Sequence, residues 1–179
     1  EARVRLNHWH KHEQTEIVVG DFQQGGVGLL HEGDKGWHFL MHGEAYTGIL
    51  HPHEIEDRFV HIAGSYDGKL MRLFVDGVLV GAEPLVASTV RPSPLTFCIG
   101  ANPEPGEDQI PVASGKLDGD VRSVRISTTA RYLEPFEPPS SKFEPDKHTL
   151  ALYHFDEGAG DVLHDSSGNG HHGKIVGAK

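Results

Sequence analysis

Hydrophobic positions fall in short, glycine-bounded runs along the chain, and the first run alternates with period two. In EARVRL, Ala2, Val4 and Leu6 alternate with Arg3 and Arg5, which predicts a strand with one buried face. EIVVGDF (16–22) and GVGLLHE (26–32) are two further short strands around a Gln-Gln-Gly-Gly turn. WHFLMHG follows the turn GDKG (33–36). Apolar runs this short, each bounded by glycine, leave no room for helices.

The clearest local signal spans 58–83. RFVHIAGSYDG ends in a turn, and KLMRLFV and VLVGAE flank Asp76-Gly77. An Asp-Gly pair between β-branched and aromatic runs predicts a type I′ hairpin, whose two central residues both need positive φ. LTFCIGA, SGKLDGDVRSVRIS, TLALYHF and GKIVGA complete roughly ten or eleven strands. The pattern predicts an all-β, two-sheet antiparallel sandwich. Trp37, inside GWHFL, is expected in its core. Residues 134–148, EPFEPPSSKFEPDKH, hold four prolines. Proline lacks a backbone donor, so this stretch is expected to cross the surface in extended form.

Composition agrees with a sheet protein. Of 179 residues 37% are hydrophobic, with 22 Gly and 11 Pro, enough for one domain rich in tight turns. The formal net charge of −10 opposes binding to nucleic acid, and no basic cluster offsets it. No apolar run approaches the roughly 20 residues of a membrane span, so no membrane insertion is expected. The chain opens inside a strand-like run and reads as a piece of a longer one. A missing leader pattern therefore says little about localisation. The single cysteine, Cys98 in LTFCIG, excludes an intrachain disulfide and is expected to be a buried, inert thiol.

Three blocks carry a family resemblance. RFVHIAGSYDGKLMRLFVDGVLVG resembles the middle signature of laminin-G-like, concanavalin A-like jelly rolls, with Phe59 where tryptophan is usual. DGDVRSVRIS resembles the closing strand of that family, but Arg122-Ser123 stands in place of its acidic pair. YHFDEGAGDVLHDSSGNGHHGKIVG (153–177) resembles the family's opening block. The opening block here follows the closing strand. Either residues 149–179 begin a second copy, or the fold is circularly permuted and they close the sandwich of a single domain, 1–179. The second reading is preferred, because two strands alone are marginally stable and chain termini often lie close together.

The resemblance implies a recognition or adhesion module of an extracellular or cell-surface protein, with carbohydrate or a surface glycoprotein as partner. A ligand-free structural accessory domain of a larger enzyme is the alternative, and a glycoside hydrolase is a third. Hydrolysis by this fold needs two carboxylates, roughly 5 Å apart in retaining enzymes. The nearest pattern is HEIED, with Glu54, Glu56 and Asp57, which reads as a solvated turn. No catalytic residue is therefore assigned.

Many relatives of the fold carry a structural calcium. Calcium takes 6–8 oxygen ligands, and the loop Asp165-Ser-Ser-Gly168-Asn169-Gly170 offers candidates. Asp165 and Asn169 would ligate through side chains, with backbone carbonyls near Gly168 and Gly170 and Asp156 approaching from the preceding strand. The competing reading is a tight turn in which Asp and Asn bond their own backbone. His8, His10 and His12 share one face if a strand runs through them, which suits zinc or nickel, but an exposed polar loop is the simpler reading. For sugar binding, Trp9 is the candidate exposed platform, with Gln23 and Gln24 as hydrogen-bonding partners; Tyr46 and Tyr66 are further aromatic candidates.

Overall fold

The structure is a computed structural model that describes residues 1–7, 15–22, 25–52, 57–85, 90–104, 112–140 and 142–178. Fifteen strands are seen among them: β1 (Ala2–Leu6), β2 (Thr15–Gly20), β3 (Val27–Glu32), β4 (Gly36–His42), β5 (Tyr46–His51), β6 (Val60–Tyr66), β7 (Leu70–Val75), β8 (Val78–Pro84), β9 (Cys98–Ile99), β10 (Asn102–Glu104), β11 (Val112–Ser114), β12 (Gly119–Ser127), β13 (Thr149–Tyr153), β14 (Val162–Leu163) and β15 (Gly173–Lys174). One sheet has the order β13-β12-β1-β6-β7-β8 and the other β5-β4-β3-β2-β9, with β10–β11 and β14–β15 as two separate ribbons. Every pairing is antiparallel.

The alternation read in the sequence decides which residues face inward. Val4, Ile62, Leu73 and Val124 from the first sheet meet Leu29, Trp37, Phe39 and Ile49 from the second, all in one buried cluster. Trp37 is 2% exposed, as expected of a core residue. The Asp76-Gly77 turn takes φ of 47° and 76°, the geometry that its sequence demands.

Residues 134–140 and 142–148 are irregular and mostly exposed, and they form a strap over the outer face of the six-stranded sheet in which Phe143 is buried. Phe143 is 1% exposed, and its ring meets His61 edge-on at 5.7 Å. Tyr132 and Phe136 stack at 3.5 Å. The Phe136 N–H donates to the Gly77 carbonyl at 3.0 Å, and a Cβ at Gly77 would lie 1.9 Å from the Phe136 oxygen. That turn thus needs glycine for its φ and for the strap's close approach. The outward residues of β1, β6 and β12 gain a second, smaller core. Within it the Glu1 carboxylate lies 2.7 Å from both His61 Nε2 and Arg125.

The tail packs on the sandwich. β13 pairs with β12 at the sheet edge, and Leu152 is fully buried. Strand β5 and the β10–β11 ribbon were not legible in the sequence. β5 is an edge strand with only Ile49 buried, so its hydrophobic alternation is faint. β10 and β11 sit in the polar, proline-containing stretch 102–114.

Candidate functional site

A groove of about 600 Å³ opens beside the five-stranded sheet, lined by Thr15, Ile17, Phe22, Asn102, Glu104 and Ser114, with Ala113, Gly115 and Lys116 at the ribbon's end. Its floor follows from strand alternation. Leu29, Trp37 and Phe39 point into the sandwich, so Leu30 and its ladder partner Ile17 turn to the opposite face, where Ile17 lines the groove. Phe22 lies over Gly28, where a Cβ would come within 2.5 Å of the ring. The Tyr46 hydroxyl donates to the Phe22 carbonyl and fixes the chain there.

The β10–β11 ribbon makes the other wall. The Ser114 hydroxyl donates to Glu104. Gly115 has φ of 50°, and its carbonyl accepts the Ile17 N–H at 2.9 Å. A Cβ at Gly115 would meet the Thr15 oxygen at 2.8 Å, so glycine lets the ribbon close onto β2. Glu16 accepts the Asp118 N–H at 3.0 Å and ties down the segment that follows. Asn102 is 4% exposed, and its Oδ1 has no hydrogen-bond partner among the described residues. A buried acceptor left so is costly. The groove therefore joins an aromatic ring and an aliphatic floor to an amide, a carboxylate, two hydroxyls and an ammonium. That mixture can take a ligand with both C–H faces and hydroxyls.

The residues singled out in the sequence are distributed as follows. Trp9, Gln23 and Gln24 lie outside the described residues, as do His8, His10, His12, Glu54 and Glu56. Tyr46 is 46% exposed, whereas Tyr66 packs against the sandwich core. Asp57 is exposed and lies 3.7 Å from Arg5. Cys98 is half-buried rather than buried; burial, then the charge of Asp21, pushes its thiol up, which suits an inert group.

The 165–170 loop is folded around Asp165. Its Oδ1 accepts the N–H groups of Leu152 and Ser167, each at 2.9 Å. Its Oδ2 accepts the Ser167 hydroxyl at 2.7 Å and the His171 N–H at 3.0 Å. Burial acts to raise this carboxyl, but the bonds from Ser167, Leu152 and His171 prevail and hold it at about 2. Asn169 donates through Nδ2 to the carbonyls of Thr149 and Leu150, both at 2.9 Å. Gly168 and Gly170 take φ of 88° and 77°. Asp156 is paired with Lys142. As placed, these residues fit a self-bonded turn that rivets the loop to β13, not a calcium cage. Ligation would require Asp165 to release donors that now fill its lone pairs. Among the described residues no three His, Cys, Asp or Glu side chains are grouped to hold a metal.

The fold is an antiparallel jelly-roll sandwich with a mixed polar and apolar groove beside one sheet. Residues 1–134 match the laminin G model of the concanavalin A-like lectin/glucanases superfamily, and the chain belongs to that superfamily. A solved structure from Bacteroides ovatus ATCC 8483, of a protein proposed to bind carbohydrate, superposes with a TM-score of 0.69 at 16% identity. The match covers 94% of this chain and 48% of that one, so the chain spans about half its length. None of the curated proteins compared matches the sequence.

Proposed function

We propose that the chain is a non-catalytic carbohydrate-recognition module of a larger extracellular or cell-surface protein. One observation carries the reading: the Phe22 ring and Ile17 floor stand opposite Asn102 and Glu104 in a groove of sugar-binding size. A pyranose offers a C–H face to an aromatic ring and equatorial hydroxyls to planar amide and carboxylate groups. The superfamily includes lectins and glucanases, and the Bacteroides ovatus protein sharing the fold is itself proposed to bind carbohydrate. Binding without hydrolysis is favoured because Glu104 is the one carboxylate among the described lining residues, and it is bonded to Ser114. Glycosidases of this fold require a pair.

The test is a glycan array followed by titration calorimetry on the best ligand. Phe22→Ala and Asn102→Ala should each weaken binding at least about tenfold, the loss of roughly 1.4 kcal/mol, while leaving the melting temperature close to the parent's. Binding that survives both substitutions moves the site elsewhere. No binding to any glycan leaves the accessory-domain reading, and turnover of a β-glucan overturns the non-catalytic one.

A further inference from the structure

The six-stranded sheet ends at β13, which pairs with β12 and with no other strand among the described residues. An edge strand carries N–H and C=O groups that invite another strand. The opposite edge, β8, carries Glu83 and Pro84, and charge and proline both discourage such pairing. β13 reads Thr-Leu-Ala-Leu-Tyr. Its register against β12 shifts once, between Ile126 and Ser127, but it holds neither a charge nor a proline. Leu150 within it is 40% exposed.

The loop after it closes this edge. The Leu152 N–H donates to Asp165 Oδ1 at 2.9 Å, and the Leu152 carbonyl accepts the Ser166 N–H at 2.7 Å. In an antiparallel ladder a residue exchanges one N–H and one C=O with the residue it faces. The Asp165 carboxylate stands in for that partner's carbonyl, and the Ser166 amide for its N–H. Two positions back, the Leu150 carbonyl accepts the Ser167 hydroxyl at 3.2 Å and Asn169 Nδ2 at 2.9 Å. Asn169 Nδ2 also reaches the Thr149 carbonyl at 2.9 Å. Side chains make four of these five bonds, so the loop covers the edge without offering a new one. It is pinned from its far side as well. The Asp165 N–H donates to His172 Nδ1 at 3.1 Å, and the Tyr153 hydroxyl donates to the His171 carbonyl at 2.7 Å.

We propose that residues 165–169 are an edge guard for β13, and that the partner they exclude is a second copy of this chain, pairing its own β13 antiparallel to this one. An antiparallel pair of identical strands closes about a two-fold axis. Thr149–Tyr153 is uncharged, so it holds nothing that repels its own counterpart, and the exposed Leu150 of each copy gains cover. Such pairing joins two six-stranded sheets edge to edge, a form of strand addition. Riveting the loop to β13 needs only the Asp165 anchor. Ser167 and Asn169 add donors at the carbonyls that a second strand would use. The guard is independent of the groove beside the other sheet.

The test combines Asp165→Ala with Asn169→Asp in the full chain. The first removes the acceptor for Leu152, and the second sets a carboxylate against the Thr149 and Leu150 carbonyls. Sedimentation velocity should show a monomeric parent and a double variant whose mass rises about twofold with concentration. In dilute solution the Leu152 amide of the variant should exchange at least about tenfold faster than in the parent, and dimer formation should slow it again. Adding Leu150→Lys, which sets like charges across the new pairing, should restore the monomer. A cooperatively folded double variant that stays monomeric at every concentration overturns the proposal. So does association that survives Leu150→Lys or leaves Leu152 unprotected, and so does a parent that already associates. If the double variant does not melt cooperatively, Asn169→Asp alone decides. Asp165 still anchors the loop there, a weaker dimer is expected, and a strictly monomeric Asn169→Asp chain overturns the proposal.

Discussion

The Arg122 guanidinium lies 3.9 Å from the centre of the Phe59 ring. Arg5 approaches the same ring at 5.3 Å. The resemblance to laminin-G-like jelly rolls implies other residue types at both Phe59 and Arg122, and the fold brings the two into contact. A cation over an exposed aromatic face is worth about 0.5–1 kcal/mol. Phe59→Leu and Arg122→Gln, combined in a double-mutant cycle by urea unfolding, should show a coupling of that size. Additive losses would mean that the two departures are unrelated.

Asp165 accepts four hydrogen bonds, two on each oxygen. Asp165→Ala strands the Leu152 and His171 N–H donors and frees the 165–170 loop. The Leu152 N–H is buried, and a buried donor left unpaired costs about 1–3 kcal/mol, so a loss of several degrees in melting temperature is expected. The carboxylate is already saturated. Millimolar calcium and a chelator should therefore leave the parent's melting temperature unchanged. A calcium-dependent rise abolished by Asp165→Ala would show that the loop reorganises around the ion.

The sheet architecture was legible because strand patterns are local. Ala2, Val4 and Leu6 alternate in sequence and face one core in space. Asp76-Gly77 is a hairpin by its own backbone chemistry. The strap was not legible. Proline spacing describes its backbone correctly, but nothing local says that Phe143 will be buried against His61, more than 80 positions away. The groove was not legible: Asn102 and Glu104 belong to a stretch that reads as a polar loop and becomes a wall only when β10 pairs with β11.

Acid should weaken the fold between about pH 4 and pH 2. Asp165 is held at about 2 by its hydrogen bonds, against the burial that opposes it. Asp67 is also held at about 2, chiefly by the Leu70 N–H, then by Arg72 and the Lys69 N–H. Both sit below the unfolded value near 3.9. Their contribution is complete above that value and is lost as pH falls through the folded one, since the unfolded state then binds more protons. For the buried Asp165 the loss is on the order of 2 kcal/mol. Urea melts from pH 5 to pH 2 should show declining stability, and Asp165→Asn should flatten the decline. A parallel profile would place the acid sensitivity elsewhere.

The tail is expected to be part of the same cooperative unit as the sandwich. Leu152 is fully buried on the strap side of the sheet, opposite Arg125, Ala151 is 5% exposed, and β13 holds the edge of β12. The preceding strap buries Phe143 against the face that β1, β6 and β12 share. Leu152→Ala should cost about 2–5 kcal/mol and Phe143→Ala about 3–5 kcal/mol, because each leaves a cavity that packed strands cannot close. Ending the chain at 148 removes β13 altogether and opens the β12 edge. That truncation should lower the melting temperature by more than either substitution and broaden the transition. Calorimetry decides between the two readings of the tail. A single transition in the full chain, shifted as a whole by Leu152→Ala, makes residues 149–178 a closing piece of this sandwich. A truncated chain that melts cooperatively at the parent's temperature would make them the start of a second copy.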